Sequence, residues 1–171
     1  MLYRDGTDPA LACNAMKRIL LGTLVVGALD ITEVIVFFGL KGVAPTRILQ
    51  SVAAGLIGRG AAFEGGIPTA LLGLGLHYFI SFAVVCVYFF ASHKIAALRD
   101  SPVIIGALYG LLVYLVMNFV VLPLSASGPP RFTTTGVLNG LFAHVFCVGI
   151  PTALIARARD MRQVVGDPER T

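Results

Sequence analysis

The sequence predicts an all-α integral membrane protein, a bundle of four transmembrane helices with a short interfacial helix between the first two. The 171-residue chain is 57% hydrophobic and 13% charged, roughly half the charge of a typical soluble domain. Four apolar runs each reach about 20 residues, the length that crosses the hydrocarbon core as a helix. The basic residues stand at the edges of these runs and not in a stripe with interleaved aromatics. Lipid, and not nucleic acid, is therefore the expected partner.

The first span is predicted at residues 19–40. Residues 1–16 are polar and aperiodic, and Met16-Lys17-Arg18 resembles a start site, so we expect a disordered or mis-assigned N-terminal tail there. An alternative interpretation takes Lys17 to Ala28 as a cleavable signal peptide. The sequence lacks a small-x-small cleavage site, however, and the apolar run resumes after Glu33.

The remaining spans are predicted at residues 67–91, 103–124 and 135–156. Pro68 falls in the first turn of the second span, where its missing N–H does no harm. Pro123 and the Gly128-Pro129-Pro130 cluster end the third span and fill the following loop. The transmembrane domain thus covers residues 17–158, and a polar cytoplasmic tail is expected over residues 159–171.

The segment 45–59 between the first two spans is predicted to be an amphipathic helix. Ile48, Leu49, Val52 and Leu56 share one helical face. The segment is too short to span the bilayer. It either lies at the interface or dips in as a re-entrant turn, and the sequence leaves both open.

Lys and Arg residues predict the orientation. With the N-terminus inside, nine of the thirteen fall in cytoplasmic segments and four in outer segments. The cytoplasmic nine are Arg4, Lys17, Arg18, Lys94, Arg99, Arg157, Arg159, Arg162 and Arg170, and the outer four are Lys41, Arg47, Arg59 and Arg131. This excess predicts both termini in the cytoplasm.

Two acidic residues interrupt the first apolar run. Asp30 and Glu33 are three residues apart, hence on one helical face, and Asp30 is close to the middle of the span. Ionisable groups at mid-bilayer cost several kcal/mol each and are tolerated mainly where they have a role or a partner. A shifted or tilted first span, with Glu33 near the outer interface, is one alternative interpretation, and protonation of both acids with hydrogen bonds across helices is another.

The other spans contribute polar side chains at a similar depth. At about 1.5 Å per residue, His77, Tyr114 and His144 come within about one turn of the level of Asp30, and Asn118 lies one turn further out. We therefore predict a mid-bilayer site that binds a cation, a proton or a small ligand, in a transport- or redox-related membrane component. Its residues would be Asp30, Glu33, His77 and His144, with Tyr114 and Asn118 in support.

Several chemistries fit this set of residues, and the sequence does not decide among them. The two histidines and two carboxylates suit a transition metal, with Cys147 as an additional soft donor. Without a metal they would form a proton relay. His77 and His144 facing each other would also fit a bis-histidine haem b. Nucleotide-binding, zinc-protease and hydrolase motifs are absent from the sequence, which favours a non-enzymatic role over an enzyme acting on a lipid.

A rival prediction is a structural or assembly protein whose polar layer only holds the helices together. Four short helices enclose little volume, which favours a homo-oligomer or a larger membrane complex. Gly106-x-x-x-Gly110 and Gly136-x-x-x-Gly140 are motifs that let helix backbones approach closely.

Several sequence blocks carry a family resemblance. They are Arg47-Ile48-Leu49-Gln50-Ser51 with Gly55-Leu56, Gly75-Leu76-His77, Val113-Tyr114-x-x-Met117-Asn118-Phe119-Val120-Val121-Leu122-Pro123-Leu124, and His144-x-Phe146-Cys147-Val148-Gly149. Together they resemble an uncharacterised family of small four-helix bacterial inner-membrane proteins, over about Lys17 to Arg157. The resemblance implies the bacterial inner membrane and the four-helix architecture, and it implies no function.

Overall fold

The computed structural model describes residues 9–130 and 132–165, and the regular elements in these ranges are all helices. Four helices are long and apolar enough to cross a membrane: Cys13–Gly39, Gly66–Lys94, Pro102–Leu124 and Thr134–Arg157. We call them the first to fourth spans, and they confirm the predicted all-α membrane bundle. Large apolar side chains point outward from them, with Leu24 60%, Phe79 68% and Leu138 64% exposed. Such surfaces suit lipid as the solvent.

Two helices extend beyond the predicted spans. The first helix runs Pro9–Gly39 and so includes residues 9–16 of the predicted tail, while residues 1–8 lie outside the described residues. The reason is local: proline is favoured at a first helical position, and the following stretch is rich in helix-forming alanine and leucine. The last helix continues to Val165, into the predicted polar tail, whose residues 166–171 also lie outside the described part.

The third and fourth spans each contain a π-helical segment. These segments are Met117–Val121 and Ala143–Gly149. The second one precedes Pro151, whose missing N–H leaves the helical ladder one donor short. Wider π turns are rare, and they often occur at functional positions.

Glycines bring the third and fourth spans into close contact. A Cβ added to Gly110 would overlap the carbonyl oxygen of His144, and one added to Gly149 would overlap the carbonyl oxygen of Gly106. The predicted close contact at Gly106 and Gly110 is confirmed. The other motif behaves differently: Gly136 donates its N–H to the helix-capping Thr133 side chain, and Gly140 packs against the ring of Tyr114.

The first span packs against both the second and the fourth spans. The second and third spans, in contrast, keep their backbones apart. Side chains bridge this gap, as where the Tyr109 hydroxyl donates to the Val84 carbonyl oxygen at 2.7 Å. An apolar seam therefore remains between these two spans.

The segment between the first two spans forms the helix Pro45–Ile57, here called the linker helix. Gly58, with φ +80°, ends it two residues earlier than predicted, and a short helix Arg59–Glu64 follows. A Cβ on Gly73 of the second span would overlap the Leu49 carbonyl oxygen. At its other end the linker helix accepts a hydrogen bond from Ala126, beyond the third span. The linker helix thus lies over the end of the bundle where the first and third spans end.

Candidate functional site

Asp30 and His77 face each other across the first and second spans. His77 Nε2 lies 2.9 Å from the carbonyl oxygen of Gly27, one turn before Asp30. Because a carbonyl only accepts hydrogen bonds, Nε2 carries a hydrogen. The other ring nitrogen, Nδ1, then faces Asp30 Oδ2 at 4.0 Å. Gly27 and Asp30 share a helical face, which explains how one imidazole reaches both.

The second carboxylate oxygen of Asp30 is left without a partner. Oδ1 is buried and has no hydrogen-bond partner within residues 9–130 and 132–165. A buried polar atom left unsatisfied costs about 1–3 kcal/mol, and more when it is charged. A proton or a cation bound at Asp30 would remove this cost.

Asp30, His77 and His144 line one cavity of about 200 Å³. Ser51 of the linker helix and Ser81 of the second span are its other hydroxyl-bearing or charged lining residues in the described structure. The remaining lining side chains are aliphatic or thioether groups: Ile31, Val34, Ile48, Val52, Ile80, Val84, Val113, Met117 and Val148. The cavity is therefore a small polar centre with an apolar wall.

The polar side chains of this cavity have already donated their hydrogens. Ser51 donates to the Ile48 carbonyl oxygen at 2.6 Å and Ser81 to that of His77 at 2.9 Å. His144 Nδ1 lies 2.9 Å from the Gly140 carbonyl oxygen, so its neutral ring presents a bare Nε2. With His77 Nδ1 and the Asp30 carboxylate, the lining offers acceptors throughout. The complementary ligand is a hydrogen-bond donor or a positive charge.

Glu33 is separated from this cavity, although it lies one turn from Asp30. Its Oε2 accepts a hydrogen bond from Asn139 Nδ2 of the fourth span at 3.4 Å, and it is not among the cavity-lining residues. The sequence analysis grouped Glu33 with the site and overlooked Asn139. Asn139 is a polar residue within the fourth apolar run, and this position could have identified it as a partner for a buried acid.

The two predicted supporting residues, Tyr114 and Asn118, also differ in whether they contact the side chains of the cavity. Tyr114 is buried and packs edge-on against His144, with ring centroids 5.5 Å apart. Asn118 instead donates to the Tyr114 carbonyl oxygen of its own helix at 2.9 Å. Tyr114 thus holds His144 in place, whereas Asn118 satisfies its own backbone. Ser51 and Ser81 were missed, although Ser81 follows His77 by one helical turn and so shares its face.

The geometry does not form the predicted metal site. No three His, Cys, Asp or Glu side chains gather as a ligand set in the part of the chain that the structure describes. Glu33 pairs with Asn139 instead, and Cys147 is close enough to Asp30 and Glu33 only for an electrostatic interaction. The carboxylates and imidazoles are thus spread over a layer and do not converge on a point.

A bis-histidine haem b does not fit either. His77 Nε2 already donates to the Gly27 carbonyl oxygen, and His77 Nδ1 faces Asp30. Drug-sized ligands need clefts of about 300–1,000 Å³, so a 200 Å³ cavity is too small for a porphyrin. We therefore derive no haem chemistry from this site.

Fold and site together define a class: a polytopic helical membrane protein with an acceptor-lined cavity inside a bundle of four spans. No protein-family model, no curated protein and no solved structure matches the chain.

Proposed function

We propose that this chain is a bacterial inner-membrane protein that binds a proton or a cation at Asp30 and His77, as a component of a transport or redox process. Its resemblance to small four-helix inner-membrane proteins supports this location. The excess of Lys and Arg in the proposed cytoplasmic segments, nine against four, supports cytoplasmic termini.

One observation carries the binding proposal: the cavity presents acceptors from each of its polar side chains, and Asp30 Oδ1 has no described donor. Evolution tolerates an ionisable group in a membrane interior mainly where it has a function or a partner. The partner of Asp30 within the bundle is His77, at 4.0 Å. This distance exceeds a hydrogen bond, so the carboxylate still has capacity for a ligand.

Other ionisable groups surround the pair. Glu33 and Cys147 interact electrostatically with Asp30 from the first and fourth spans. His144, also on the fourth span, lines the same cavity, and Tyr114 of the third span packs against it. The linker helix contributes the uncharged Ser51.

A hydrophobic carbodiimide tests the proposal, because it reacts covalently with protonated carboxyl groups in apolar surroundings. We expect dicyclohexylcarbodiimide to modify Asp30 in the purified protein, with labelling that falls as the pH rises. Mass spectrometry of the labelled peptides gives the site and the extent. Glu64, which is exposed outside the spans, provides an internal reference for the reagent.

Asp30→Asn should remove the label and Glu33→Gln, one turn away on the same helix, should leave it. Equal modification of Asp30 and Glu33, or labelling of Asp30 that follows the pH profile of Glu64, would contradict a proton-binding role for Asp30.

A structural role is the second candidate, and two observations favour it. Interhelical hydrogen bonds join His77 to Gly27 at 2.9 Å and Asn139 to Glu33 at 3.4 Å. Such bonds average about 0.6 kcal/mol in membrane proteins. A structural role does not explain the unpartnered oxygen of Asp30, which weakens the fold.

A further inference from the structure

The seam between the second and third spans is a groove on the side of the bundle. Its volume is about 330 Å³. Its lining residues belong to the second and third spans and include Phe79, Val87 and Tyr109. Phe79 and Val87 on its rim are 68% and 61% exposed, on the surface that lipid covers.

This groove offers no polar group to a ligand. The single hydroxyl among its lining residues belongs to Tyr109 and is committed to the Val84 carbonyl oxygen at 2.7 Å. The remaining lining side chains are hydrocarbon or thioether groups. The groove therefore suits a hydrocarbon chain.

The groove and the Asp30 cavity are adjacent. Ile80, Val84, Val113 and Met117 line both of them. A ligand whose head lies against Asp30 and His77 therefore has the apolar side chains of the groove beside it.

A second cavity, of about 450 Å³, lies at the end of the bundle and meets the Asp30 cavity at Ser51. Arg59 lines it and donates to the Ser127 carbonyl oxygen. Its guanidinium charge repels a cation that comes from water by this path. The lateral groove has no such charge, so the lipid side is the favoured approach.

Resting on the proposed function of Asp30, we propose that the ligand is a lipophilic ammonium ion, with its charged head at Asp30 and its hydrocarbon part in the groove between the second and third spans. The head supplies the hydrogen-bond donors that the cavity lacks, and its charge complements the carboxylate. The tail exchanges lipid contacts for the side chains of the groove. A purely inorganic cation would leave the groove unused.

Because the chain contains no Trp, a single introduced Trp reports on the groove by fluorescence. Phe79→Trp places the reporter on the groove rim. Phe90→Trp is the matched control, because Phe90 belongs to the same span, is 62% exposed and lies outside the groove. The probes are a bromoalkyl ammonium ion and the bromoalkanol of the same chain, since bromine quenches Trp on contact.

We expect the ammonium probe to quench Phe79→Trp saturably and Phe90→Trp only in proportion to its partitioning into the bilayer. Combining Phe79→Trp with Asp30→Asn should weaken the apparent affinity at least about tenfold, as for loss of a hydrogen bond to a charged group. Combining it with Glu33→Gln should not. Gel filtration of each variant confirms that it is folded.

Equal quenching at the two positions, equal affinity for the alkanol and the ammonium ion, or indifference to Asp30→Asn would each overturn the proposal. These outcomes are separable from failure of the proposed function. If carbodiimide labelling of Asp30 follows pH while quenching is not saturable, Asp30 binds protons and the groove binds no ammonium ion.

Discussion

Several serine and threonine side chains in the spans donate their hydrogens to carbonyl oxygens of their own helix. Thr23, Ser92 and Thr152 bond to Ile19, Phe89 and Val148 in this way, at 2.7–2.9 Å. The cause is the solvent: lipid offers polar groups no partner, so each donor is satisfied within the protein. Ser51 and Ser81 beside Asp30 donate in the same way, so the polar side chains of the cavity remain as hydrogen-bond acceptors. The acceptor character of the cavity follows from ordinary membrane-helix chemistry, and Asp30 gives it charge.

Asp30→Asn should raise the stability of the fold while removing binding. The amide is neutral and its N–H can donate to His77 Nδ1, so the remaining unpartnered oxygen carries no charge and costs less than a carboxylate oxygen. A gain of about 1–3 kcal/mol is expected, seen as a higher midpoint of thermal unfolding in detergent. His77→Phe should lower the midpoint, because it removes the hydrogen bond between the first and second spans at Gly27 and leaves Asp30 without its imidazole neighbour.

The opposite result would be informative. A marked loss of stability in Asp30→Asn would mean that the carboxylate holds helices together, and it would favour the structural role over the binding site.

Helix contacts in this protein depend on where glycine meets a neighbouring backbone. Gly110 of the third span lies against the His144 carbonyl oxygen in the π-helical segment of the fourth. Gly73 of the second span lies against the Leu49 carbonyl oxygen of the linker helix. These contacts set the positions of His144 and of the linker helix, and hence two walls of the cavity.

Gly110→Ala should destabilise the protein, because the new methyl group would overlap the fourth span. The expected loss is about 1–3 kcal/mol, the usual range for overpacking, measured by thermal unfolding in detergent. Gly75→Ala is the control: Gly75 lies in the second span with nothing within 4 Å of the added Cβ, so its stability should not fall. Similar losses in both variants would contradict the close approach at Gly110.

Across the bundle, the packing is uneven, and this unevenness creates the binding surfaces. The first span packs on the second and fourth, and the third on the fourth, whereas the second and third stay apart. The linker helix covers one end by bonding to the second span through Gln50 and to the loop beyond the third through Gly55. The bundle is therefore open at its side and covered at one end.

The proposed orientation predicts which loops face outward. In a variant whose three natural cysteines are replaced by Ser, Ala126→Cys should react with a membrane-impermeant maleimide on intact spheroplasts. Ser101→Cys, also exposed but at the opposite end of the third span, should react only after permeabilisation. The reverse pattern would place both termini outside and refute the orientation.

The fold could be predicted from local features of the chain. A span requires a predominantly apolar run of sufficient length, and glycine or proline near the run ends sets its limits, so the four spans and the linker helix followed from short stretches of sequence. That Asp30, His77 and His144 lie at a common level of the bundle, where they line one cavity, could be predicted as well, because the rise per residue is constant in a helix.

Which polar side chains contact each other at this level depended on how the helices are rotated and where they touch. Glycines elsewhere in the sequence determine those helix contacts. Asp30 met His77 while Glu33 met Asn139, although the two acids are one turn apart and were expected to act together. Asn118 bonded to its own helix, and Tyr114 packed on His144. Depth is a property of one helix and can be counted along the chain. Which side chains meet is a property of several helices at once, so the acceptor-lined cavity and the lateral groove became visible only in the packed bundle.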